Sequence, residues 1–167
     1  EEALIKFGMK KCWEEAFNEP FAAVRRRTVK GYDFISAEWK EGKPWNVAAD
    51  EWFAQNGKTL DPKKPFFFFT HYPLGGTTSC TKPDAPAVKA LKSMPNAVAF
   101  SGHCHWTLND ERSIWQGEYT AVAIPSLSYT SIPAGYENGG DSRRGDPKTS
   151  MPKIPARPKL EEAQGYV

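Results

Sequence analysis

His71, His103 and His105 are the three histidines of the 167-residue chain, and each lies just past an apolar run. Pro65-Phe66-Phe67-Phe68-Phe69-Thr70 leads into His71-Tyr72-Pro73, and Ala97-Val98-Ala99-Phe100 leads into Ser101-Gly102-His103-Cys104-His105-Trp106. A buried strand that stops at a histidine delivers an imidazole to the rim of a sheet, the place where ligands bind in open α/β folds. Neutral imidazole suits Zn, Fe, Mn and similar ions. On extended backbone, residues two apart point to the same side. His-x-His can therefore aim both rings at one ion, or in a loop at two adjacent ions. Gly102 is expected to give the sharp exit from the strand, because glycine alone adopts unusual backbone angles freely. The three rings are predicted to converge on one rim as metal ligands.

Positioning these side chains requires a layered support. Four consecutive phenylalanines cannot alternate between core and water, so Phe66–Phe69 is predicted as a strand covered on both faces, as in a parallel or mixed sheet. After the polar loop 74–81, Asp84 and Pro86 predict a short helix start, with Val88 and Leu91 on its buried side. The segment 97–100 then reads as a second buried strand, which completes a βαβ pattern. Upstream, Ile5, Met9, Trp13 and Phe17 recur every fourth residue and predict a helix over 3–17 with a plain core face, ended by Pro20. Residues 28–38 read as one strand. Trp45, Ala49, Trp52 and Phe53 share a face and predict a helix over 45–56, stopped by Gly57. Around Gly117, residues 112–116 and 118–124 read as a hairpin. From about 131 onward, and most plainly over 133–158, Pro, Gly, Ser and charged residues replace periodic apolar ones, and a long loop and tail are expected.

Composition narrows the function classes. A net charge of +2 offers no electrostatic basis for nucleic-acid binding, and Arg25-Arg26-Arg27 reads as a solvated strand edge. No apolar run approaches the ~20 residues of a membrane-spanning helix, so no membrane segment is expected. The three cysteines, Cys12, Cys80 and Cys104, allow one disulfide at most and do not fix the redox compartment.

Thr70-His71-Tyr72-Pro73, followed about thirty residues on by Gly102-His103-Cys104-His105, resembles the last two motifs of calcineurin-like metallophosphoesterases. Gly31-Tyr32-Asp33-Phe34-Ile35 resembles the strand before them, and Leu108–Thr120 resembles the hairpin that follows Gly-His-x-His in many bacterial members. The likeness covers about residues 20–130. It implies an α/β fold: half of a layered α/β/β/α sandwich, a mixed sheet with flanking helices. Residues 1–130 would form the C-terminal part of that domain and 131–167 its loop and tail. The resemblance implies a two-metal centre, with His71 and His103 on one ion and His105 on the other. The ions, divalent or trivalent Mn, Fe or Zn, would lie roughly 3.5–4 Å apart and hold a phosphoester substrate and a bridging hydroxide. Tyr72, Thr77, Trp106 and Asn109 are near enough to these histidines in sequence to touch substrate.

The family's earlier motifs, Asp-x-His, Gly-Asp-x-x-Asp and Gly-Asn-His-Asp/Glu, do not occur. The chain is therefore expected to begin after the third motif and to require a missing N-terminal half. Alone it should hold at most one weakly bound ion, turn over little substrate, and leave a sheet edge or apolar face open where the other half belongs. Two further readings remain: a zinc site completed by a thiolate from Cys80 or Cys104, and a phosphoesterase-like module that binds a partner without chemistry.

Overall fold

The two apolar runs that end in histidine become adjacent parallel strands at the centre of a sheet. The computed structural model describes residues 8–38, 42–78, 84–105 and 113–125. Its elements are helix α1 (Met9–Phe17), strands β1 (Val24–Val29) and β2 (Tyr32–Ala37), helix α2 (Trp45–Asn56), β3 (Phe66–Thr70), β4 (Ala97–Ser101), β5 (Ile114–Gln116) and β6 (Thr120–Ala123). Short 3-10 turns occupy Gly57–Thr59 and Lys89–Ser93. The strands form one mixed six-stranded sheet in the order β1-β2-β3-β4-β6-β5. β2, β3, β4 and β6 run parallel, and the antiparallel strands β1 and β5 flank them. The chain is thus a mixed α/β protein.

One face of the sheet is the core. Ile35, Ala37, Phe66, Phe68, Ala97, Ala99 and Ala121 turn inward and pack under Ala49 and Phe53 of α2, with Leu60, Val88 and Leu91 closing the layer. Phe68 is 0 % exposed, and burying one such side chain contributes about 1.5–3 kcal/mol. Small alanines on β4 and β6 let the layer approach, while the phenylalanines of β3 fill the space under Phe53. The expected helix over 45–56 forms with those bounds. Gly57 does not end it in a left-handed turn; its φ is −56°, and the chain tightens into the 3-10 turn.

The opposite face is covered only in part, which corrects the expectation of a strand buried on both sides. Phe67 and Phe69 are half-buried. They stack with Phe34 and Phe100 across three strands, with centroid separations of 5.0 Å for Phe34–Phe67 and 5.3 Å for Phe69–Phe100. Cross-strand aromatic pairs of this kind fix register as well as burying area.

Three further expectations shift. The single strand over 28–38 is a hairpin: Lys30 and Gly31 both have positive φ, 51° and 78°, the geometry of a tight two-residue turn. The helix start at Asp84 is absent. Val88 and Leu91 are buried as expected, but they flank and enter a 3-10 turn. Helix α1 is described from Met9, and the described end of its stripe is not a core face, since Phe17 is 60 % exposed and stacks on Trp13; Ile5 lies outside the described residues. That helix ends at Asn18 in the left-handed conformation, ahead of Pro20. The arginines of β1 do form an edge strand. Arg26 Nε and Nη2 donate to Asp33 at 2.8 and 2.7 Å, tying the edge to β2. The predicted loop over 133–158 lies outside the described residues.

Candidate metal centre

Parallel pairing aligns the strand ends. Ala37 pairs with Thr70, and Thr70 with Ser101. The ladder continues one step on: Glu38 N–H donates to Ala23 C=O at 2.7 Å, and Gly102 N–H donates to His71 C=O at 3.2 Å. The rim row therefore reads Ala23, Glu38, His71, Gly102. Ala37, Thr70 and Ser101 are buried toward α2, so alternation sends Glu38 and His71 to the aromatic face.

The His71 and His103 rings meet on this rim. Their centroids are 5.1 Å apart at 82°, and His103 Nδ1 lies 3.2 Å from His71 Nε2. One of these nitrogens donates and the other accepts. With the donor ring in its other tautomer, its proton on the far nitrogen, both facing nitrogens offer a lone pair. Two nitrogens about 2.0–2.1 Å from one zinc in a tetrahedral arrangement stand about 3.3 Å apart, so the observed separation fits two donors of one ion. Tyr72 covers the pair, with centroids 4.5 Å from His103 and 5.0 Å from His71. All three rings are exposed.

The turn after β4 is held by unusual backbone. Cys104 N–H donates to Gly102 C=O at 2.8 Å around His103, whose φ is 71°. This is a γ-turn of the rare, strained hand. His105 also has a positive φ, 56°. The expected sharp exit therefore falls on two histidines and not on Gly102, whose φ is not in the left-handed range. Non-glycine residues held this way cost of order 1–3 kcal/mol and cluster at functional sites.

The structure brings two of the three histidines together. Among the described residues no group of three His, Cys, Asp or Glu could hold one ion, so His105 does not complete a set with the pair. Thr77 is turned into its own loop, its hydroxyl donating to Leu74 C=O at 2.6 Å. Trp106, Asn109 and Cys80 lie outside the described residues. Cys104 is disulfide-bonded, so it carries no thiolate for a zinc ion, and the variant of the zinc reading that used it falls. Cys12 is free.

The chain matches no family model, no curated protein and no solved structure.

Glu38 is the rim residue that the sequence did not single out. Burial pushes its carboxyl above the usual range, against the fields of Arg25 and His71, which pull it down. Only the β2–β3 register reveals its place; in sequence it is one more residue at the end of a strand. Among the described residues no helix is long and apolar enough to cross a membrane.

Proposed function

We propose that this chain supplies the histidine half of a two-metal phosphoesterase centre of the calcineurin-like kind, acting in the intact protein on a phosphoric ester. The observation that carries the reading is the 3.2 Å approach of His71 Nε2 and His103 Nδ1 at the ends of adjacent parallel strands. The strained turn at His103 supports it, since that conformation persists only where the surroundings impose it. The half-covered face of Phe34, Phe67, Phe69 and Phe100 supports a second layer there, as in an α/β/β/α sandwich. The resemblance of Thr70–Pro73 and Gly102–His105 to the last two family motifs supplies the reaction class.

When bound, such a metal pair supplies charge neutralisation at the phosphoryl group and a hydroxide nucleophile. The chain's own residues hold and shape that site. His71 and His103 present imidazole nitrogens at a separation fixed by strand register, so little reorganisation is needed on binding. Tyr72 shields one side of the pair. By the motif resemblance, His105 would serve the second ion. The carboxylates that two ions require come from residues outside this sequence, as does the group that protonates the leaving oxygen.

Calorimetric titration of the chain with Zn²⁺ or Mn²⁺ tests this reading. Weak binding of at most one ion is expected, abolished by His71→Ala and by His103→Ala, with little hydrolysis of p-nitrophenyl phosphate. Equal binding by both variants and the parent would overturn the reading, as would robust turnover by the chain alone.

A further inference from the structure

The sequence holds three cysteines, Cys12, Cys80 and Cys104. Cys104 is disulfide-bonded, and Cys12 is a thiol outside that bond. The partner is therefore Cys80, which lies outside the described residues and is identified by elimination. The ends of this bridge follow the two histidines of the rim: Cys104 comes directly after His103, and Cys80 ends the loop that leaves His71. That loop is anchored. Leu74 and Thr78 are each 2 % exposed. Gly75 N–H donates to Pro86 C=O at 3.0 Å, and the Thr77 N–H and hydroxyl donate to Leu74 C=O at 3.2 and 2.6 Å. On the strand side, Gly102 N–H donates to His71 C=O at 3.2 Å. Residues 71–80 and 102–104 thus make a small ring, closed at one end by that hydrogen bond and at the other by the disulfide. His71 and His103 both belong to it, with facing nitrogens 3.2 Å apart.

Cys104 also stands between the two left-handed histidines, with φ 71° at His103 and 56° at His105. Such conformations persist only where the surroundings over-determine them. A covalent tie at the residue between them, fixed to an anchored loop, is a restraint of that kind. We propose that the Cys80–Cys104 disulfide is a redox-sensitive clamp that positions His103 against His71. Oxidised, it closes the ring and spends both thiols, so neither can ligate an ion. Cys104 is only partly buried, within reach of thiol–disulfide exchange. A dithiol opens the bridge: its two sulfurs join as a disulfide, and its two protons pass to the Cys80 and Cys104 thiols. The His103 turn then loses its tie to the loop, and the two rings part. The clamp itself rests on the turn and the bridge. Its consequence for metal affinity rests on the metal-binding reading of the histidine pair.

Peptide mapping of the unreduced, alkylated chain should show Cys80 linked to Cys104 and label on Cys12 alone. Proton NMR of the metal-free chain reads the positioning. The oxidised chain should show Overhauser contacts from His103 to the Tyr72 and His71 rings, whose centroids lie 4.5 and 5.1 Å away. Dithiothreitol, and separately Cys80→Ser with Cys104→Ser, should abolish both contacts and leave that between Phe34 and Phe67, at 5.0 Å. A crosslink that only stabilised the fold would leave the histidine contacts in place. By competition with a chromophoric chelator, the double-serine variant, which offers no thiolate, should bind Zn²⁺ about tenfold more weakly than the oxidised parent, the cost of ordering about one residue anew. Label on Cys80 or Cys104 in the unreduced chain would overturn the clamp, as would histidine contacts that survive in either opened form. Loss of the Phe34–Phe67 contact in both opened forms would show a bridge that holds the whole fold, and would overturn it too. An oxidised parent that binds Zn²⁺ no better than the variant would remove the link to metal. If the contacts part on opening but the oxidised parent takes up no Zn²⁺, the clamp stands and the metal-binding reading falls.

Discussion

Replacing His103 by glycine and by alanine isolates the cost of its backbone. Both substitutions remove the imidazole, its contact with His71 and its packing under Tyr72, so those losses cancel in the comparison. What remains is one Cβ at a φ of 71°. An L-residue in the left-handed region costs about 1–2 kcal/mol, while glycine costs about 0.5–1 kcal/mol more in lost chain entropy on folding. The glycine variant should therefore be the more stable by about 0.5–1 kcal/mol. With a urea slope of about 2 kcal/mol per molar, its midpoint should lie about 0.25–0.5 M higher. His105, with φ 56°, should show the same sign. Gly102 should show the reverse: its φ is outside the left-handed range, and an added Cβ would meet His71 O and Nδ1 at 3.8 and 3.9 Å, ordinary contact distances. Gly102→Ala should then be neutral or stabilising by up to about 1 kcal/mol, through the unfolded chain. Urea denaturation of the parent and these five variants, followed by tryptophan fluorescence, reads all the differences. If His103→Ala were as stable as His103→Gly, the strain argument would fail, and with it one support for a functional turn.

Two other expectations concern the scaffold. Asp33 accepts from Arg26 at 2.8 and 2.7 Å and from the Thr28 hydroxyl at 2.6 Å; the Arg26 bonds, then that of Thr28, hold its carboxyl below the usual range against the opposing effect of burial. Because its folded value is depressed, its contribution is present above the unfolded value of about 3.9 and is lost as pH falls through the folded value. Asp33→Asn should cost about 1 kcal/mol at neutral pH, a figure kept low by the partial exposure of Arg26. The gap from the parent should shrink as pH falls below the unfolded value, and a gap of constant size through acid pH would rule the clasp out. Gly75→Ala would set a Cβ 2.0 Å from Ala85 C=O, a backbone atom, beside the bond from Gly75 N–H to Pro86 C=O at 3.0 Å. A loss of about 1–3 kcal/mol is expected, and an unchanged melting temperature would show that the two loop segments are not packed as described.

Much of the scaffold is legible in residue order because local and tertiary preferences agree there. Trp45, Ala49, Trp52 and Phe53 mark one helical face, and the helix over 45–56 packs by it. The phenylalanine run and Ala97–Phe100 become parallel neighbours, and residue order alone shows His71 and His103 just past their ends. The hairpin at Lys30-Gly31 was hidden because a lysine in the first left-handed position is a weak turn signal beside Asn-Gly or Asp-Gly. The 3-10 turn at Lys89–Ser93 shows its buried Val88 and Leu91 but not its pitch, which tertiary packing decides. Propensity places the sharp exit at Gly102; the fold imposes it on His103 and His105. Glu38 was invisible for a different reason. Its relation to His71 exists only in the β2–β3 register, across a crossover that includes the whole of α2.

The two borders of the sheet are poor templates. On one side β1 carries Arg25, Arg26 and Arg27 followed by Lys30, and on the other β5 is three residues long. An incoming strand would meet like charges at the first border and too short a ladder at the second. The sheet therefore resists widening in its own plane, and anything added to this protein gains most by stacking on the aromatic side, next to the rim where the two imidazoles meet.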